Sequence, residues 1–177
     1  MKKITIIVVL LISSVLWSAQ AEDKTLFVYL DADLSNHKES SQAIQKGIEV
    51  AFSDINNEID GYKIAFKYLD HRGNVIRSKR NYQAFLKDPN ALVIYSGIHS
   101  PPLIKNRSFI NENKALTLVP WAAAGFITRY PSKENWIFRL SIDDSRAGST
   151  IIDYAMTQQQ CKSHICYSKK PLGVMQI

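Results

Sequence analysis

The chain of 177 residues is 46% hydrophobic and 21% charged, with 7 Gly and 6 Pro. This is a globular composition, which excludes collagen-like, low-complexity and wholly disordered classes. Two Cys are too few for a disulfide scaffold or a two-knuckle zinc module. The formal charge of +6 falls to +4, with 20 basic residues against 16 acidic, once Lys2 and Lys3 are set aside. No dense Arg/Lys block points to nucleic acid as a partner.

The first 21 residues read as an address. Lys2 and Lys3 form a positive start, and residues 4–17 are almost unbroken apolar. Ala19-Gln20-Ala21 then offers the small-x-small pattern of a signal-peptide cleavage site. The competing reading is an uncleaved anchor, but the apolar run is shorter than the roughly 20 residues a span needs. Cleavage after Ala21 is expected, with export to the periplasm.

Thr25 to Asp31 is a short run rich in strand formers. From Glu39 the period changes: Ile44, Ile48, Ala51, Phe52 and Ile55 fall on one helical face, and Asn56-Asn57 and Gly61 end that helix. Tyr62 to Leu69 reads as a second strand. Residues 76–86 read as a helix with Tyr82, Phe85 and Leu86 inward, stopped by Asp88-Pro89-Asn90. Ala91 to Tyr95 is a continuous apolar run, as a central parallel strand requires. Pro101-Pro102 opens a third helix, Ala115 to Val119 is a fourth strand, and Pro120 to Glu134 a long loop. Trp136 to Leu140 is a short fifth strand, Asp143-Asp144-Ser145 caps a fourth helix, and His164 to Tyr167 reads as a sixth strand. Right-handed crossovers turn this alternation into an α/β fold, a doubly wound, mostly parallel sheet with helices on both faces.

Ligands of such sheets bind beyond the carboxyl ends of the strands, which selects the loops 31–35, 70–74, 97–100 and 121–125. Gly97 permits close backbone approach, and Ser100 falls at the cap of the next helix, whose free N–H groups favour an anion. Its other reading is a plain helix cap. Trp121 beside Ala122-Ala123-Ala124-Gly125 sets a flat ring next to space, although Trp also buries well as core.

These residues resemble a family. The Leu34-Ser35-Asn36 loop, the helix ending Asp54-Ile55-Asn56, and the Leu69-Asp70 strand end are similar to the leucine/isoleucine/valine-binding protein family. These are the type I periplasmic binding proteins of ABC transporters. Gly97-Ile98-His99-Ser100-Pro101 and Val119-Pro120-Trp121-Ala122-Ala123-Ala124 look like its two ligand loops. Trp136 to Leu140 with Asp143-Asp144-Ser145-Arg146-Ala147-Gly148 resembles its stretch before the second lobe, and Pro171-Leu172-Gly173 the opening of that lobe.

The resemblance implies non-covalent capture of a small polar solute, with no enzyme activity, cofactor or metal. It also implies an ABC permease in the inner membrane as partner. Ser100, Trp121, Ala122 and Ala123 are the implied ligand-binding residues. Ser100 would bond the polar end of the solute, Trp121 would pack on its body, and the two Ala would supply backbone groups and space. Amino-acid binders of the family carry a Thr where Ala123 or Ala124 stands here, which argues against a standard α-amino acid. The division expected is a signal peptide over 1–21, an incomplete first lobe over 22–162, and the truncated start of a second lobe over 163–177. The alternatives are a truncated, non-functional remnant and a small exported α/β enzyme.

Other chemistry finds weaker footing. His71 beside Asp70 reads as a solvated loop residue, since neighbours on a strand end point apart. Asp31 and Asp33 read as solvated loop acids, because no third acidic ligand lies nearby in sequence. Cys161, His164 and Cys166 match no zinc spacing; a Cys161–Cys166 disulfide is an alternative to two separate thiols. Arg77, Lys79 and Arg80 read as a solvated helix face. The sequence has no G-x-S-x-G elbow, P-loop, H-E-x-x-H or G-x-G-x-x-G.

Overall fold

A computed structural model describes residues 24–131 and 134–157. The expected signal peptide, the strand at His164 to Tyr167, the second-lobe segment and the Cys161–Cys166 pair lie outside the described residues. The strands are β1 (Thr25–Ala32), β2 (Glu58–Ile59), β3 (Tyr62–Asp70), β4 (Ala91–Ser96), β5 (Thr117–Val119) and β6 (Ile137–Arg139). The helices are α1 (Lys38–Ser53), α2 (Val75–Lys87), α3 (Ser100–Glu112) and α4 (Asp144–Thr157). A single 3₁₀ turn, Gly125–Ile127, punctuates the long loop before β6.

The sheet runs β2-β3-β1-β4-β5-β6. All neighbours pair in parallel except β2, which is antiparallel to β3. Strand β1 is central and covered on both faces, so both its alternating sets are apolar. Val28, Leu30 and Ala32 share one cluster with Ile44 and Ile48 of α1, together with Ile64 and Val93. Tyr29 joins the other, with Tyr82 and Phe85 of α2, Leu103 and Ile110 of α3, and Ile94. Helix α1 therefore covers one face and α2 with α3 the other, which is the doubly wound arrangement expected from sequence. Truncating a core member such as Ile94, fully buried, carries a cost on the order of 2–5 kcal/mol.

Local chemistry sets the element ends. Asn74 caps α2, its side chain accepting from the backbone N–H groups of Ile76 and Arg77 at 2.9 and 3.0 Å. Such a cap is worth about 1 kcal/mol. After α1 the backbone turns left-handed at Asn56 and Asn57, then a two-residue hairpin turn forms at Asp60 and Gly61 with φ of 48° and 77°. That Asp-Gly pair joins β2 to β3, a strand the periodicity did not anticipate.

Helix α4 forms where expected, but it buries none of its described side chains. Ile151, Tyr154 and Met156 are exposed, as are Phe138, Leu140 and Ile142 around β6. No helix among the described residues is long and apolar enough to cross a membrane.

Candidate functional site

Chain order reverses at the centre of the sheet. From β1 the chain moves out to β3 on one side, then returns to place β4 on the other. The carboxyl ends of β1 and β4 thus form the topological switch point, where the loops on either side diverge and leave a crevice. The backbone fixes this edge tightly. Gly97 donates its N–H to the Asp31 carbonyl at 2.8 Å. A Cβ at Gly97 would lie 2.9 Å from the Ala32 Cβ and 3.0 Å from its Cα. The close approach explains the glycine.

The polar residues of these loops are built into the sheet end rather than solvated. Asp31 is only 2% exposed and points to α2, accepting from Ser78 Oγ and Asn81 Nδ2, both at 2.6 Å. Burial pushes its carboxyl up to about 7 against the pull of those two donors, and the charge of Asp70 adds to the rise.

Asp33 is equally buried. Burial alone would raise its carboxyl, but donors outweigh it and hold it down at about 2. Those donors are the Asn36 N–H at 2.8 Å, the Asn36 amide at 3.2 Å and the His37 ring at 3.1 Å. Ser41 Oγ donates to the Asp33 carbonyl at 2.8 Å, tying the loop to α1. The expectation of solvated loop acids is therefore wrong for both residues. The donors to Asp31 come from α2, which local sequence does not place beside it, whereas those to Asp33 lie three and four residues on in the same loop.

His71 is also corrected. It is 2% exposed, and its Nδ1 accepts from the Gly73 N–H at 2.9 Å, which leaves the ring proton on Nε2. Burial, reinforced by the neighbouring His99, lowers it to about 4, while Asp33 and Asp70 oppose the fall. Its ring meets His99 edge-on at 5.6 Å, and His99 meets His37 edge-on at 4.5 Å. Asp70 fastens the β1 and β3 loops together. It accepts from the Leu34 N–H at 3.0 Å, Ser35 Oγ at 2.5 Å and Arg72 Nε at 3.2 Å. Burial opposes these donors, but the net effect keeps the carboxyl below its ordinary range.

The ligand residues expected from sequence separate into two kinds. Ser100 is the first residue of α3 rather than its cap; His99 occupies the N-cap, with no side-chain capping bond. The Ser100 hydroxyl instead accepts from the Ala124 N–H at 3.4 Å, which joins the loops after β4 and β5. Trp121 is 52% exposed, so its ring is not core.

Ala122 is buried, and its carbonyl accepts from Ser141 Oγ at 2.9 Å. The Ala123 carbonyl accepts from Arg139 Nη1 at 2.8 Å and from the Asp144 N–H at 3.0 Å. The Ala124 carbonyl accepts from the same Arg139 nitrogen at 2.8 Å. These carbonyls hold the loop against β6 and α4 and are already occupied. Asp143 anchors that region, pairing with Arg139 at 2.9 Å and Arg129 at 2.8 Å. A cleft of about 540 Å³ runs along the edge strand β6, lined by Arg129, Phe138, Arg139 and Arg146, away from the switch point. Arg77, Lys79 and Arg80 are exposed on α2, as expected.

Sequence reasoning missed the association of His37, His71 and His99. The available signal was positional: all three follow the carboxyl end of a predicted strand, and the three strands are neighbours in the sheet.

Residues 29–173 match the sequence model of a family described as periplasmic binding protein. No curated protein shows significant similarity to the chain. Among solved structures, an ABC transporter substrate-binding protein from Desulfitobacterium hafniense superposes with a TM-score of 0.67 at 17% identity, covering 76% of this chain and 39% of its own. The solute-binding protein of an ABC transporter from Rhodopseudomonas palustris, in complex with 3,4-dihydroxybenzoic acid, gives 0.66 at 20% identity, covering 76% and 36%. The leucine-binding protein LivK from Thermotoga maritima gives 0.66 at 14% identity, covering 76% and 38%. The chain thus spans under two fifths of the length of each of these structures.

Proposed function

We propose that this chain, which belongs to the periplasmic binding protein family, captures a small polar solute for an ABC transporter in the periplasm. The observation that carries the reading is the joined pair of loops after β4 and β5 at the ligand edge of the sheet. There Ser100 bonds the Ala124 N–H, and Trp121 stands exposed beside a run of alanines. Binding rather than turnover is the role that fits, and delivery to an inner-membrane permease follows from the family. Residues 1–21 serve as the signal peptide, 22–162 as the first ligand-binding lobe and 163–177 as the start of a second.

The solute class can be narrowed by chemistry. The Ser100 hydroxyl and the amino end of α3 suit a carboxylate, since free N–H groups and the helix dipole both favour an anion there. Trp121 offers a flat wall for an apolar or aromatic body. Ala122 and Ala123 contribute space, because their carbonyls are engaged. The neighbours solved with leucine and with hydroxybenzoates hold carboxylate solutes of these two body types. The missing hydroxyl at Ala123 or Ala124 favours the aromatic acid over the amino acid.

Calorimetric titration of the chain with 4-hydroxybenzoate, 3,4-dihydroxybenzoate and leucine tests this. Saturable binding of an aromatic acid is expected, weakened about tenfold or more by Trp121→Ala and by Ser100→Ala, since a lost aromatic contact or charge-assisted hydrogen bond is worth about 1–3 kcal/mol. Binding untouched by either substitution removes these residues from the site. Binding of none of the three solutes counts against the carboxylate assignment.

A further inference from the structure

We propose that Asp33, His37 and His99 form a binding site for a divalent transition-metal cation of the zinc class, at the switch-point end of the sheet. This goes beyond solute capture and does not depend on it. One ligand atom from each residue lies within 4.8 Å of the others. Zinc bonds of about 2.0–2.1 Å in tetrahedral geometry set ligand atoms roughly 3.3 Å apart. His37 Nδ1 and Asp33 Oδ2 are already at 3.1 Å, the spacing two ligands of one metal adopt. The other ligand atoms need to close from at most 4.8 Å. The His37 side chain is 49% exposed, whereas Asp33 is held by Asn36 and, through its carbonyl, by Ser41.

One further observation points to a ligand. The buried Nδ1 of His99 has no hydrogen-bond partner. Buried polar atoms are nearly always paired, so an unpaired ring nitrogen on a residue of this cluster is open to a ligand. His71, which packs on His99, donates nothing toward the cluster from its Nδ1, an acceptor for Gly73. Two imidazoles and one carboxylate are borderline donors that suit Zn²⁺, Ni²⁺ or Co²⁺ over Mg²⁺ or Ca²⁺. Three protein ligands leave a fourth position open, which an exogenous carboxylate could fill.

The test uses the full chain in a Cys161→Ser, Cys166→Ser background, so that thiolates cannot supply the binding. After chelator treatment, ZnCl₂ and CoCl₂ are titrated calorimetrically, and the cobalt form is followed in the visible. One equivalent of zinc with micromolar or tighter affinity is expected, with cobalt d–d bands characteristic of nitrogen and oxygen ligands. His37→Ala and His99→Gln should each weaken zinc at least tenfold, and His71→Gln much less. A cooperative thermal melt of each variant in chelator checks that it folds, and the contrast of His37→Ala and His99→Gln with His71→Gln keeps a general loss of stability from passing for loss of the site. No stoichiometric binding overturns the proposal, as does equal affinity in the parent and both variants. Titration with 4-hydroxybenzoate in chelator keeps the two readings apart. Solute binding without zinc binding sinks the metal site alone, and zinc binding without solute binding sinks the carboxylate assignment alone.

Discussion

Replacing Asp88 by Asn should destabilise the chain by about 1–2 kcal/mol at neutral pH, and by roughly half as much at pH 3. Asp88 closes α2, and one of its oxygens takes both the Lys67 ammonium and the Tyr29 hydroxyl at 2.6 Å. Its other oxygen accepts the Asn90 N–H at 2.9 Å, so a single carboxylate ties β1, β3 and the turn into β4. Lys67 lies 3.5 Å from the centre of the Phe27 ring, which fixes its stem. The Lys67 ammonium, then the Tyr29 hydroxyl, lower the carboxyl from 3.8 to about 2.

That difference corresponds to about 2 kcal/mol at roughly 1.4 kcal/mol per tenfold, reduced here because the Lys67 side chain is more than a third exposed and partly screened. A carboxyl lowered on folding stabilises the native state above its unfolded value, and that stability is lost as pH falls through the folded value. The deficit of the variant must therefore shrink between pH 4 and pH 2. Asn keeps the shape and an acceptor while removing the charge, so packing is not confounded. Urea unfolding of both chains, followed by circular dichroism at pH 7 and pH 3, measures the difference. A deficit of a few tenths of a kcal/mol at pH 7, or one equal at both pH values, would mean that Lys67 and Tyr29 do not favour the charged form of Asp88.

Gly97→Ala should cost about 1–3 kcal/mol, because the new Cβ meets the Ala32 backbone rather than a movable side chain. Comparison of urea midpoints checks it, and an unchanged midpoint would show that the strand ends can part. The proposed leader should be removed after Ala21. Mass spectrometry of periplasmic extract is expected to find a chain beginning at Glu22, and full-length chain held in the membrane would contradict this.

Much of the sheet was legible because apolar runs and helical periods report burial on one or two faces. Ala91 to Tyr95 reads as a central strand, and Ile44 with Ile48 marks the inward side of α1; both occupy those places. What escaped had partners distant in sequence. Asp31 is buried because Ser78 and Asn81 come round from α2, and no window around residue 31 contains them. The Ser100 cap was inferred from residue preference, yet His99 takes the cap and the hydroxyl turns to Ala124. Strand β2 was hidden by its length. Asp60-Gly61 is a strong hairpin signal, but the strand entering it has two residues and shows no alternation. The three histidines looked unrelated because only the strand order makes their loops neighbours.

Strand β1 occupies the middle of the sheet although it comes first in chain order among the described strands. Thr25 pairs with Lys63 and Phe27 with Ala91, so its two flanks are completed by segments arriving far later in the chain. Such non-local pairing slows folding, since loop-closure entropy must be met before contacts reward it. In chain order β3 becomes available to β1 before β4 does. The crevice at the switch point exists only where β1 and β4 are paired, because its two walls are the loops that leave those strands. Refolding followed at that crevice would report the closing of the sheet itself.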